Sequence, residues 1–273
     1  MTVLDHGPAL LFCPGDRPER FAKALERADA VILDLEDAVA SAAKTTARGA
    51  IIESELDPDR VIVRVNPPGT DAFVADLATL SQTDYRTIMI AKAESVKQLK
   101  PIDQRFSIIA LCETARGVAT AEKFAAHKQV IGLMWGAEDL VASLGGTSSR
   151  KPNGRYRDVA RVARARVLLA AGARGKTAID AVHLDIADTK RLAIEAADAV
   201  ASGFAATACI HPSQVEIIRK AYRPDPVAVE WARGVLDAAR ANRGVFTYEG
   251  SMVDEPVLRH ARATLRRSQS LPD

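Results

Sequence analysis

Eight short apolar runs divide the chain, at 10–13, 30–35, 61–65, 87–91, 107–112, 130–135, 177–182 and 204–210, and a segment of helical character follows each. Several are nearly continuous apolar strings, such as Val61-Ile62-Val63-Arg64-Val65 and Ser107-Ile108-Ile109-Ala110-Leu111. Strands covered on both faces of a parallel sheet read this way. Among the intervening segments, 18–28 opens with Pro18 and sets Phe21, Ala24, Leu25 and Ala28 on one face, with charges opposite. Segment 157–173 sets Val159, Val162, Ala163, Val167 and Ala170 at helical spacing. Eight strand–helix units in roughly 215 residues predict an α/β fold, either a (β/α)8 TIM barrel or a doubly wound open sheet.

The strand ends decide between the two. They read Asp34-Leu35-Glu36-Asp37, Arg64-Val65-Asn66-Pro67, Lys92-Ala93-Glu94, Glu113-Thr114-Ala115-Arg116, Glu138-Asp139 and His211-Pro212. A barrel gathers chemistry at the C-terminal ends of its strands, whereas an open sheet uses a single crevice, so this distribution predicts the barrel, over 1–221. Residues 222–273 exceed what closing a barrel requires. They predict a C-terminal helical extension, with helices at 224–242 and 256–267 around a loop at 243–251, which covers the barrel mouth or reaches a neighbouring subunit.

Composition narrows the function classes. The chain is 48% hydrophobic, enough for a sizeable core, and its 37 basic and 35 acidic residues leave a charge of only +2. Neither nucleic acid nor a membrane surface is an expected partner on that balance. No run approaches the ~18 to 20 apolar residues of a membrane span, and no basic stretch precedes the first short apolar run, so a cytoplasmic protein is expected. Cys13, Cys112 and Cys209 are odd in number, far apart and set in apolar segments, which predicts buried reduced thiols. Cys209 and His211, two apart, form a weak candidate nucleophile pair.

Candidate chemistry falls at the strand ends. Glu113 and Asp139 close the fifth and sixth runs, and two carboxylates with open positions between them suit magnesium; the alternative is solvated loop acids or helix caps. Arg64 interrupts an apolar strand and requires an anion, a substrate carboxylate held in a two-pronged grip or a neighbouring Glu36 or Asp37, two roles that can coexist. One of Asp34, Glu36 and Asp37 suffices for a site role. Lys92 either neutralises the acids or forms a Schiff base, which a metal site disfavours. Segment 145–154 lacks the spacing of a phosphate-cradling loop and reads as a mobile surface loop. Arg17, Arg20 and Lys23 make a small basic cluster suited to phosphates or to solvent.

The strings Leu11-Phe12-Cys13-Pro14-Gly15-Asp16-Arg17-Pro18-Glu19-Arg20 and Leu33-Asp34-Leu35-Glu36-Asp37-Ala38-Val39 resemble the citrate lyase beta-subunit-like family of acyl-CoA lyases. Arg64-Val65-Asn66, Glu113-Thr114-Ala115-Arg116-Gly117, Gly136-Ala137-Glu138-Asp139-Leu140, Ile210-His211-Pro212 and Met252-Val253-Asp254-Glu255-Pro256 follow in the family's order, covering nearly the whole chain. The resemblance implies a magnesium-dependent (β/α)8 barrel, usually a homotrimer. Its reaction makes or breaks a carbon–carbon bond between a 2-keto acid (oxaloacetate, pyruvate or glyoxylate type) and a CoA thioester.

By motif, Glu113 and Asp139 match the metal ligands, with Glu113 also meeting substrate, and Arg64 matches the residue that holds the keto-acid carboxylate. Asp254 matches an acid/base group delivered from an adjacent subunit. Glu36, Asp37 and Lys92 are expected to support them, and Arg17, Arg20 and Lys23 to meet CoA. A malyl-CoA thioesterase and a noncatalytic subunit of a lyase complex are the alternatives.

Overall fold

The computed structural model describes residues 2–242 and 244–270. Two compact units divide the chain, Met1–Ile218 and Arg219–Asp273.

In the first unit, β1 (Ala9–Pro14), α1 (Phe21–Arg27), β2 (Ala30–Asp34), α2 (Lys44–Ile52), β3 (Val61–Val65), α3 (Asp71–Leu80) and β4 (Thr87–Ile90) lead into β5 (Ser107–Cys112). Then come α4 (Ala115–Ala125), β6 (Val130–Trp135), α5 (Ala137–Ser143), α6 (Asp158–Gly172), β7 (Thr177–Asp180), α7 (Thr189–Ser202), β8 (Ala206–Cys209) and α8 (Val215–Tyr222). The eight strands pair in parallel in chain order and β1 closes on β8, a (β/α)8 barrel with no open edge. All eight predicted runs are strands. The β4–β5 connection differs from expectation: it holds only a 3-10 turn, Val96–Leu99, because Pro101 stops propagation two residues later.

Period-two alternation builds the interior. Leu10, Ile32, Ile62, Met89, Ile109, Leu111, Met134 and Ile179 point inward as one buried cluster, with Val3 and Leu4 joining it. The same rows continue toward the C-terminal mouth: Ala30 and Ile32 lead to Asp34, Ile62 to Arg64, and Ile109 and Leu111 to Glu113. Core and chemistry therefore share one face of each strand.

Two local expectations are corrected here. On α6, Val159 and Val162 are exposed, at 46% and 65%, while Ala160, Ala163, Val167, Ala170 and Ala171 are buried. Small side chains face inward because α6 lies close against α4, with Ala163 packed on Val118 and Leu140. Segment 145–154 is pinned, not free. Ser149 Oγ donates to Glu138 Oε1 at 2.5 Å, and Arg150 makes a forked pair with Glu195 at 2.5 and 3.1 Å. The Arg150 guanidinium also stacks 4.0 Å from the Tyr156 ring, which meets Trp135 edge-on.

The second unit holds α9 (Pro226–Ala241), β9 (Phe246–Tyr248), β10 (Ser251–Val253) and α10 (Glu255–Ser270). The loop expected at 243–251, whose first residue lies outside the described residues, is a hairpin from 246 onward. Glu249 and Gly250 both adopt positive φ, +47° and +76°, the geometry that a two-residue turn between right-twisted strands needs. Ala232, Val235, Val253 and Ala261 form its core, and Gly234 lets the Tyr248 hydroxyl approach where a Cβ would collide.

Candidate active site at the barrel mouth

At the C-terminal ends of the strands a pocket of about 250 Å³ is lined by Phe12, Leu111, Met134, Val182, Leu184 and Ile210 on its apolar side. Asp34, Arg64, Glu113, Glu138 and Asp139 supply its charges. A larger pocket, about 480 Å³, is lined by residues of α6 and α7, and each of its three acids is already paired with a base. There Arg164 pairs with Asp180 and Asp198, and His183 and Arg150 both bond Glu195. An excess of carboxylates over bases lies at the barrel mouth, which is therefore the candidate site.

Asp34, fully buried, is the brace of this site. Its Oδ1 accepts from Arg64 Nε (2.6 Å) and the Glu36 amide (2.9 Å), and its Oδ2 from Arg64 Nη2 (2.6 Å) and the Ala38 amide (3.0 Å). Arg64 Nη1 lies 3.2 Å from Glu36 Oε2, and the guanidinium sits 4.9 Å from the Phe12 ring centroid. The expected pair with Glu36 is present, whereas Asp37 is not a partner: Asp34 takes the side-on edge of Arg64 instead. Burial opposes the Arg64 charge, but Asp34 and then Glu36 outweigh it and raise its pKa. Asp34 leaves one Nη2 hydrogen and those of Nη1, which also lies near Glu36, as the donors a substrate would meet.

Glu113 is buried at 3% exposure, so the solvated-acid alternative fails for it. Burial and then the charge of Asp139 push its carboxyl up to about 8, against the Lys92 amide and Arg64, which lower it. Gly136 makes room for it: a Cβ there would lie 2.9 Å from both Glu113 Cβ and Oε2. Asp139 stands in the first turn of α5, 35% exposed. A buried carboxylate beside a second one is a site that lacks positive charge, and hard oxygen donors with room for water fit magnesium. Among the described residues no three His, Cys, Asp or Glu side chains form a metal cage.

Lys92 links the two carboxylates. Its φ of +49° turns its amide onto Glu113 Oε1 at 3.0 Å, while its ammonium bonds Glu36, Asp37 (3.0 Å) and faces Asp139 (3.5 Å). Burial disfavours the ammonium, but Glu36 and Asp37 reverse this and raise its pKa, and its bonds to both carboxylates favour the neutralising role over the Schiff base. Glu36 is raised by burial more than Arg64 and Lys92 lower it, whereas Asp37, less buried, is held below its usual range mainly by Lys92. Lys44 fixes the same loop through Leu35 O, Glu36 O and Asn66 Oδ1.

Arg17, Arg20 and Lys23 are exposed after β1 and do not line the pocket. Asp254, in the second unit, caps α10 by accepting from the Val257 amide at 3.2 Å. His211 caps the turn Pro212–Gln214, its Nδ1 bonded to Ser213, and Cys13 and Cys112 are pushed up to about 11 and 12, mainly by burial. Cys209, the thiol of the candidate pair, is buried as well, and the His211 Nδ1 is taken by Ser213, so the expectation of buried thiols fits better than a nucleophile pair. The sequence reading missed Asp34 as the brace, and also Phe12, Gly136 and Glu138. Strand alternation alone, read from Ile32 to Asp34, carried the first.

The family model described as HpcH/HpaI aldolase/citrate lyase matches residues 9–212. The chain belongs to that family. The "citrate lyase subunit beta-like protein" of Mycobacterium tuberculosis is 56% identical over 98% of both chains. Human mitochondrial citramalyl-CoA lyase is 29% identical, over 97% of this chain and 86% of its own, and a (3S)-malyl-CoA thioesterase of Cereibacter sphaeroides is 31% identical over 96% and 95%.

Among solved structures, CitE of M. tuberculosis in complex with magnesium, acetoacetate and coenzyme A superposes with a TM-score of 0.92 at 55% identity, covering 97% of this chain and 99% of that one. Complexes of the M. tuberculosis protein with magnesium and oxaloacetate (TM-score 0.80, 55%, covering 82% and 100%) and with magnesium and pyruvate (0.85, 50%, covering 97% and 100%) also match. Family membership makes the chain an enzyme of the lyase class. No described helix is long and apolar enough to cross a membrane.

Proposed function

We propose that this lyase is magnesium-dependent and cleaves a 3-hydroxyacyl-CoA of the citryl, citramalyl or malyl type into a 2-keto acid and an acyl-CoA, or runs the reverse condensation. The observation that carries this reading is the convergence of Arg64, Glu113 and Asp139 on one pocket at the barrel mouth. Glu113 and Asp139 would hold the metal, which when bound supplies Lewis acidity toward the substrate hydroxyl and carboxylate. Arg64, braced by Asp34, offers its Nη1/Nη2 edge to the keto-acid carboxylate and fixes the bond to be broken. Lys92, Glu36 and Asp37 hold these groups in register.

Asp254 is the acid/base group, protonating the enolate carbon in cleavage or removing the acyl-CoA methyl proton in condensation. In this reading the chain assembles as a homotrimer, and the extension over 222–273 carries Asp254 to a neighbour's barrel. The exposed Arg17, Arg20 and Lys23 meet the CoA phosphates.

The test is a panel of thioesters given to the purified chain, with and without chelator, with keto acid and free CoA measured separately. Chelator-sensitive release of keto acid supports the lyase. The likeness to a malyl-CoA thioesterase favours a second reading, in which free CoA appears without keto acid. An inert chain, tested alone, would point to a noncatalytic subunit.

A further inference from the structure

We propose that Ser149 and Arg150 are positioning residues of the barrel-mouth site, Ser149 for its metal-facing side and Arg150 for its apolar wall. This rests on the lyase reading and deepens it, since neither residue lines the pocket. The metal-facing side includes Glu138 and Asp139, from the first turn of α5, and the wall includes Val182 and Leu184, from the connection between β7 and α7. These belong to different strand–helix units. The segment between α5 and α6 is tied to both.

Ser149 is 2% exposed and its Oγ donates to Glu138 Oε1 at 2.5 Å; among the described residues it is the one hydrogen-bond partner of that carboxylate. Glu138 directly precedes Asp139, so this bond fixes the turn from which Asp139 projects. Arg150 acts on the other side. Its fork on Glu195, at 2.5 and 3.1 Å, holds the Oε2 that bonds His183 Nδ1 at 2.9 Å. His183 lines the pocket of α6 and α7, whereas its neighbours Val182 and Leu184 line the barrel mouth, so alternate side chains divide between two faces. Holding His183 from behind therefore sets how far Val182 and Leu184 stand into the mouth. Arg150 is itself fixed, by Gly154 O at 2.8 Å and by the Tyr156 ring at 4.0 Å. Side chains around a site keep their geometry only while the groups behind them are packed and bonded.

The experiment is isothermal titration of the whole chain with magnesium alone and, at saturating magnesium, with pyruvate, on Ser149→Ala and Arg150→Lys beside the unsubstituted protein. Lysine keeps a charge opposite Glu195 but cannot reproduce the fork. Ser149→Ala should weaken magnesium at least roughly fivefold and leave pyruvate within about twofold, and Arg150→Lys should do the reverse, effects of the size that residues exert on a site without touching its ligand. Any pattern other than this split overturns the proposal. A purely structural role would lower the melting temperature with both constants unmoved, and general loosening would weaken both constants in both variants. Should Arg150→Lys not fold, Glu195→Gln breaks the same fork and carries the same expectation. If the split appears while no thioester is cleaved, the lyase reading fails and the positioning stands; cleavage without the split sinks the positioning alone.

Discussion

Replacing Arg64 with lysine separates its brace role toward Asp34 from the substrate-binding role proposed for the same side chain. Arg64 makes two 2.6 Å bonds to Asp34, whose carboxylate is fully buried, and approaches Glu36 at 3.2 Å. Lysine keeps the charge but, as a point donor, reproduces one of the two bonds. Asp34 retains its bonds from the Glu36 and Ala38 amides, so the loss is about one charge-assisted hydrogen bond, roughly 1.5 to 3 kcal/mol. At roughly 2 to 4 °C per kcal/mol for a domain of this size, the melting temperature should fall by about 3 to 12 °C.

Binding is lost separately. The Nη1/Nη2 edge that faces the pocket is also removed, and a similar energy there corresponds to pyruvate affinity weaker by roughly 10- to 150-fold. Differential scanning calorimetry gives the first quantity, and isothermal titration with pyruvate at fixed magnesium gives the second. A lowered melting temperature with unchanged pyruvate affinity would reduce Arg64 to a brace for Asp34. The opposite result would show that the Asp34 pair adds no stability.

Glu113→Gln removes a buried charge facing Asp139, so the metal-free protein should melt no lower than the unsubstituted one; the upward shift on adding magnesium should disappear, and a retained shift would reject Glu113 as a ligand. Gly136→Ala, at φ −130°, strains no backbone but drives a methyl into Glu113; activity should fall at least roughly tenfold with a smaller magnesium shift, as overpacking at a fixed site predicts. Mixed oligomers of Asp254→Asn and Glu113→Gln subunits, verified by mass, should recover activity that neither variant has, and dead mixtures would place Asp254 outside a shared site. Burial alone would raise Glu195, but the bonds from His183 and Arg150 prevail and hold it below the usual carboxylate range. Its stabilisation is therefore present above the unfolded-state pKa and lost as pH falls through the folded one. Acid melts of Glu195→Gln should show a shallower decline than the unsubstituted protein in that window, and identical slopes would exclude this contribution.

The strand pattern by itself determined the barrel. Continuous apolar runs such as Val61–Val65 can be satisfied only between two covering layers, and polar groups at six of eight strand ends pointed to one shared mouth. It also placed Arg64 and Glu113 there, because a strand end fixes where a side chain emerges, while Asp139 reaches the same pocket from the first turn of α5. Partner choice was not legible, since a row of acids such as Asp34, Glu36 and Asp37 is one string in sequence and three environments in space. Register opposite Arg64 put Asp34 on its fork, the following turn sent Glu36 to both Arg64 and Lys92, and Asp37 was left nearest solvent.

The α6 face and the Glu249-Gly250 hairpin also escaped, the first because packing against α4 selects small side chains over apolar ones, the second because glutamate is an uncommon residue at positive φ. The left-handed turn at Lys92, which joins both acids of the site through one residue, likewise has no local signature. It exists because the ends of β4 and β5 bring Glu113 within reach of that amide, and only the closed barrel sets that distance.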